Sequence, residues 1–132
     1  IVPEYRALVQ RAHAAGKPFL LHSCGNIFAV MEDLIDTAGI DAKHSNEDAI
    51  APFSVWLERY GARIGNFGGV DTDVLCQRDE AAIRAYVTDV VAQCRGRGGV
   101  AIGSGNSIPD YVPPEGYLAM VEQVRALRGD FA

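Results

Sequence analysis

The chain has 132 residues, 48% of them hydrophobic and 22% charged, with a net charge of -5, enough for one domain with a sizeable core and without the basic stripe of a nucleic-acid footprint. No apolar run reaches the length of a membrane span, and no signal-peptide pattern is present. The three cysteines, Cys24, Cys76 and Cys94, are odd in number and widely spaced, which argues against a disulfide scaffold and for a reducing cytoplasm.

The chain opens Ile1-Val2-Pro3, without an initiator methionine, and enters a helix almost at once, so it reads as a piece of a longer or processed protein. Tyr5, Leu8, Val9 and Ala12 recur at helical spacing over Pro3–Ala15, and Gly16 suits the stop. Lys17–Leu21 is predicted to be the first strand. A second helix follows, capped by Asn26, with Val30, Met31, Leu34, Ile35 and Ala38 on one face and Gly39 at its end.

A short second strand is expected over 40–43, running into the polar stretch His44-Ser45-Asn46-Glu47-Asp48. Pro52 opens a third helix with Phe53, Trp56, Leu57 and Tyr60 inward and Gly61 as its stop. Arg63–Phe67 is the third strand, ending in Gly68-Gly69-Val70-Asp71, and Thr72–Leu75 is a short turn. The longest helix spans Asp79–Arg95, with Ile83, Val87, Val90, Val91 and Cys94 as its stripe. Gly99–Ile102 is the fourth strand, ending in Gly103-Ser104-Gly105-Asn106-Ser107. Pro113-Pro114-Glu115 starts the last helix, with Tyr117, Val121 and Val124 inward.

One helix followed by four strand–helix units implies an α/β fold with a parallel sheet and right-handed crossovers. Four units are half of an eight-stranded (β/α) barrel of the TIM type, forming one domain over residues 1–132. A flavodoxin-like open sheet is the competitor, but a polar or glycine-rich cluster follows every strand here, whereas an open sheet concentrates its site at one switch point.

Side chains at the carboxyl ends of parallel strands are the ones that meet a ligand. His22 and Cys24, leaving the first strand two residues apart, are a candidate pair of soft ligands for Zn²⁺. Zinc needs a third protein ligand, and Cys76, His44 and Asp71 are the candidates near strand ends. Cys94 sits on an apolar helix stripe, where a buried thiol is the default, and His13 belongs to the surface or packing of the first helix. His44 stands at the end of the second strand, with a solvated loop as the plainer role for Glu47 and Asp48. Gly68 and Gly69 permit a sharp turn and close backbone approach to a ligand. Asp71 could bind a ligand, orient a histidine or cap the turn after it. Ser104, Gly105 and Asn106 form a loop with the composition of a small anion site. Because these residues follow successive parallel strands, His22, Cys24, His44, Asn66, Asp71, Ser104 and Asn106 are expected on one rim.

The motifs Leu21-His22-Ser23-Cys24-Gly25-Asn26, Asp41-Ala42-Lys43-His44-Ser45, Gly68-Gly69-Val70-Asp71 and Gly98-Gly99 through Pro109-Asp110 to Pro113-Pro114-Glu115, in that order, resemble the C-terminal half of the uroporphyrinogen decarboxylase superfamily. The resemblance covers essentially the whole chain and implies strands five to eight of a (β/α)₈ barrel with its site at the strand ends. The His22-Ser23-Cys24 motif is most similar to the cobamide-dependent methyltransferases, which hold zinc with a His-x-Cys pair and a later cysteine and activate a substrate thiol. That later position falls near Asn106, a poor zinc ligand, so Cys76 is the candidate substitute. The decarboxylases use arginine and aspartate residues of the N-terminal barrel half, outside this chain, and a histidine after the last strand that Ser104–Ser107 does not supply.

The resemblance therefore implies zinc-assisted methyl or alkyl transfer to a thiol, with a corrinoid on a partner protein as methyl donor and a small-molecule substrate. A tetrapyrrole-binding decarboxylase of porphyrin biosynthesis is the alternative, and a silent fragment or binding module is the non-enzymatic one. The catalytic set expected is His22, Cys24, His44 and Asp71. The substrate contacts expected are Asn66, Gly68, Gly69, Ser104, Gly105 and Asn106, and the metal set is His22, Cys24 and Cys76. Two open sheet edges and an uncovered apolar face predict a homodimer, with no nucleic-acid or membrane partner. Asp71 is the expected acceptor for the other ring nitrogen of His22, which would fix its tautomer.

Overall fold

The structure, a computed structural model, describes residues 1–129. Five helices and four strands alternate: α1 (Val2–Ala14), β1 (Leu20–His22), β2 (Ala42–His44), α2 (Phe53–Tyr60), β3 (Gly65–Val70), α3 (Thr72–Gln77), α4 (Glu80–Cys94), β4 (Val100–Ser104) and α5 (Pro114–Arg128). Between β1 and β2 runs a broken helical segment, a 3₁₀ turn over Phe28–Val30 and a π-helical stretch over Asp33–Ala38.

The strands pair in parallel in the order β1-β2-β3-β4. A flavodoxin-like sheet would place its first strand inside; sequential order is that of a TIM barrel, and the chain forms half of one. Pleating then sorts the side chains. Leu21, Lys43, Asn66 and Val100 stand in one register row. In that row Leu21, Lys43 and Asn66 are all buried, while Leu20, on the opposite face of β1, is 47% exposed. The helices cover one face and leave the other open, as a barrel's interior would be before closure.

Two apolar clusters fill the covered side. The first joins Val9 of α1, Leu21, Met31, Leu34 and the α2 residues Phe53, Trp56, Leu57 and Tyr60. Phe28 stacks on Trp56 with ring centroids 4.3 Å apart. The second joins Val70, Leu75, Ile83, Val87, Ala119 and Met120 between α3, α4 and α5. Hydrophobic periodicity located these helices because burial, not intrinsic propensity, holds them.

Several expectations change. β1 begins at Leu20, because Pro18 brings no N–H and Phe19 N donates to the Asp41 carboxylate at 2.6 Å. The helix expected from Asn26 to Ala38 is broken into 3₁₀ and π turns, although Asn26 does cap its start by accepting from Phe28 N at 3.2 Å. Val30 and Leu8 are exposed (38% and 50%), and α1 is anchored by Val9 alone among its buried residues. β2 reaches His44, and β3 runs on through Gly68-Gly69-Val70, which is strand rather than turn. Tyr117 is 39% exposed; α5 instead buries Gly116, Ala119 and Met120. Among the described residues no helix is long and apolar enough to cross a membrane.

Candidate active site at the strand ends

β1 and β2 end side by side, His22 paired in register with His44. Adjacent parallel strands put register partners on the same face, so the two imidazoles meet at the rim. Their Nδ1 atoms lie 2.8 Å apart. His44 Nε2 faces the carbonyl oxygen of Ser104, at the end of β4, at 3.0 Å. His22 Nε2 lies 3.5 Å from Cys24 Sγ. On the other side of that sulfur, Asn106 Nδ2 donates to it at 3.5 Å. The amide orientation is fixed, because Asn106 Oδ1 accepts from Ser107 N at 2.8 Å. His22 and Cys24 are exposed; His44, Ser104 and Asn106 are half-buried.

The cluster thus gathers five of the seven residues expected on one rim. Asn66 is not among them. It shares a register row with Lys43, one position off the parity of His44, so it points under the helices. There Nδ2 donates to Ile64 O at 3.1 Å, and the side-chain oxygen has no partner among the described residues. Asp71 serves the local backbone instead: Oδ1 accepts from Asp73 N at 2.7 Å, capping α3, and Oδ2 accepts from Asp48 N at 2.6 Å. It borders a depression of about 170 Å³ with Glu47 and Asn106, but both of its oxygens are engaged. It does not touch His22, whose Nδ1 faces His44 Nδ1 instead.

Cys76 lies on α3 and packs, half-buried, against the second core cluster. Among the described residues no three His, Cys, Asp or Glu side chains are grouped to hold one ion. The trio His22, Cys24 and Cys76 is therefore not assembled, since α3 turns Cys76 into the core. Cys94 is buried at the end of α4, as its stripe predicted.

The glycines approach protein rather than ligand. A Cβ on Gly68 (φ +113°) would fall 2.3 Å from Asn46 Oδ1 and 3.1 Å from His44 Cδ2. On Gly69 it would fall 2.7 Å from the Phe53 ring, and on Gly105 it would meet the Asn46 carbonyl oxygen. All three glycines are buried. Asn46, in the polar stretch after β2, is 4% exposed and clasps the strand ends together. Its N–H donates to Gly105 O at 2.7 Å, and its Oδ1 accepts from Gly69 N at 2.9 Å.

Below the rim lies a residue that strand alternation alone could have flagged. If His44 faces the rim, Lys43 must face the helices. Its ammonium sits 3.7 Å from the centre of the Trp56 ring and donates to Ser45 O. Burial pushes its pKa down to about 8, while the negative charges of Cys24 and Glu47 oppose that shift. Asp48 accepts from Tyr86 OH at 2.6 Å; burial raises the pKa of both groups.

A groove of about 660 Å³ runs from the rim residues His44 and Ser104 along the open face, past Leu20, Phe67 and Ile108. The arrangement offers a thiol flanked by one imidazole nitrogen and one amide donor, beside an apolar channel. Such a thiol can bind a soft metal or act as a thiolate.

The family model described as Uroporphyrinogen decarboxylase (URO-D) matches residues 1–127. No curated protein matches the chain. Among solved structures, a methyltransferase from Methanosarcina mazei superposes with a TM-score of 0.71 at 22% identity, over 93% of this chain and 35% of that one. That likeness is one of fold, and the chain spans about a third of that protein's length.

Proposed function

The chain belongs to the uroporphyrinogen decarboxylase (URO-D) family, and on that premise we propose that its rim cluster supports zinc-assisted transfer of a methyl or alkyl group to a substrate thiol. The observation that carries this reading is the 3.5 Å separation of His22 Nε2 and Cys24 Sγ. Zn–N and Zn–S bonds of about 2.05 and 2.3 Å at a tetrahedral angle put the two donor atoms about 3.5 Å apart. The donor set fits one edge of a zinc site. His44 has both ring nitrogens engaged and Cys76 is packed in the core, so this chain's described residues supply two ligands. Zinc bound there would lower the pKa of a substrate thiol and hold it as a thiolate.

The remaining work falls to the chain's own groups. Asn106 Nδ2 donates to the Cys24 sulfur and stabilises its negative charge. The groove past Leu20 and Phe67 receives the apolar part of the substrate. A corrinoid on a partner protein is the proposed methyl donor, and the fold likeness to a methyltransferase is consistent with methyl transfer as the reaction class. The open β1 and β4 edges and the exposed inner face fit a two-fold dimer. A sedimentation mass of one chain at micromolar concentration counts against it.

Elemental analysis of protein purified without chelator tests the reading. Zinc is expected in the parent and lost in Cys24→Ser. Equal metal content in both overturns it. A porphyrinogen turnover assay addresses tetrapyrrole decarboxylation, which the family description favours. Activity there without zinc would replace the present reading.

A further inference from the structure

We infer that His44 is a positioning residue that holds His22 in the one tautomer able to present a bare Nε2 to Cys24. The Ser104 carbonyl can only accept. His44 Nε2 lies 3.0 Å from it and therefore carries a hydrogen. A neutral His44 then has an unprotonated Nδ1. That atom is 2.8 Å from His22 Nδ1. Two bare nitrogens at this distance would repel, so His22 Nδ1 must donate. Neutral His22 is left with its lone pair on Nε2, the atom 3.5 Å from Cys24 Sγ.

Each link of this relay is held in place from outside. Ser104 ends β4, in register with Val70, and its hydroxyl donates to Asn106 O at 2.6 Å. The His44 ring packs closely over Gly68, where a Cβ would stand 3.1 Å from His44 Cδ2 and crowd the ring. The rings are tilted by 47° with centroids 4.9 Å apart, a geometry of edge contact through nitrogen rather than stacking. With both nitrogens committed, His44 offers no atom to a metal. It acts on the site through His22.

A histidine that binds a metal through one nitrogen usually donates its other N–H to a carboxylate, carbonyl or water. Here a second imidazole takes that place and passes the demand on to a backbone carbonyl. The tautomer assignment stands on hydrogen bonding alone. Its consequence for metal affinity rests on the zinc reading above.

The test uses the whole chain labelled with ¹⁵N-histidine, at a pH where both rings are neutral. His22 signals are assigned by their loss in His22→Gln. Two-bond ¹H–¹⁵N spectra of the parent are expected to show a protonated Nδ1 and a bare Nε2 on His22. In His44→Phe, which keeps the ring volume but removes the acceptor, His22 should shift toward the Nε2–H tautomer. His44→Gln, with an amide oxygen and an N–H, should restore much of the parent pattern. Zinc affinity should fall by about 10- to 100-fold in His44→Phe and recover in His44→Gln. A His22 that carries its hydrogen on Nε2 in the parent, or that keeps Nδ1–H in a folded His44→Phe, overturns the inference. The expected tautomer shift in a parent that binds no zinc supports the role of His44 and overturns the zinc reading.

Discussion

Two polar networks stand at the carboxyl ends of the same sheet, and they differ in how they end. The one after β3 is closed. Asp71 spends one oxygen on Asp73 N and the other on Asp48 N, and Asp48 in turn takes the Tyr86 hydroxyl. The one after β1, β2 and β4 is open. It passes from Ser104 O through His44 and His22 to the exposed Cys24 thiol, with Asn106 on its far side. Both are built from residue types that do chemistry. Only the open one leaves a donor pair facing solvent. Position at a strand end therefore nominates a residue, and the tally of its partners decides whether it is free to act.

The largest expected effect breaks the open network outright. His22→Ala and Cys24→Ser should each lower zinc affinity beyond the ~100-fold that loss of an outer partner brings, and abolish thiol alkylation. Asp71→Asn should leave zinc affinity within about two-fold, because the closed network supplies no donor to the cluster. Competition with a chromophoric chelator measures both. Similar losses in all three variants would erase the distinction between the networks.

The next substitution strikes the seam between them. Gly68→Ala forces a Cβ to 2.3 Å from Asn46 Oδ1 at a φ of +113°. Backbone strain costs about 1–3 kcal/mol and displacement of the Asn46 clasp adds the loss of its buried hydrogen bond, for about 3 kcal/mol in all. Urea denaturation should show this with an unchanged slope. A cost below about 1 kcal/mol would mean that the clasp yields easily and does not hold the rim.

Much of the layout behind these variants was readable in the chain itself, and the exceptions have physical causes. Phe53, Trp56, Leu57 and Tyr60 are all buried, as their spacing required. The sequential strand–helix alternation gave the half-barrel, and the His22-x-Cys24 pair is at the rim. Asn66 was misplaced by parity: it pairs in register with Lys43, one residue off the His44 row, so its side chain falls on the other face. Gly68 and Gly69 suggested a turn, but a strand can carry them where Asn46 and Phe53 press on the backbone. The link from His44 to Ser104 spans 60 residues and no local pattern announces it. Cys76 was a fair candidate by position; only the winding of α3 turns it into the core.

A third experiment concerns the charge buried beneath the open network. Lys43 has a folded pKa of about 8 against an ordinary value of 10.5. Below pH 8 the ammonium is charged in both states, and its burial costs stability. Between pH 8 and 10.5 the unfolded chain binds more protons than the folded one, so stability rises with pH. The gain is at most about 3.5 kcal/mol, at about 1.4 kcal/mol per unit. The difference between parent and Lys43→Met, followed by denaturation across that range, should show the rise in the parent alone. A flat difference would place the Lys43 ammonium in contact with water, not under the rim.

The smallest effect tests the closed network on its own terms. Asp71→Ala removes the cap on α3 and leaves Asp48 N without its acceptor. A lost cap costs about 1 kcal/mol and an orphaned, half-buried N–H adds a comparable amount. Part of this is offset, because the Asp71 charge opposes ionisation of the neighbouring Asp48 and its removal relieves that repulsion. The net destabilisation expected is about 1–2 kcal/mol. Asp71→Asn keeps one oxygen for Asp73 N but turns an N–H toward Asp48 N, so it should fall between Ala and the parent. Neither variant should change the ¹⁵N pattern of His22, since Asp71 does not touch that ring. A change in the His22 tautomer on removal of Asp71 would show that the two networks are one, and would return Asp71 to the site.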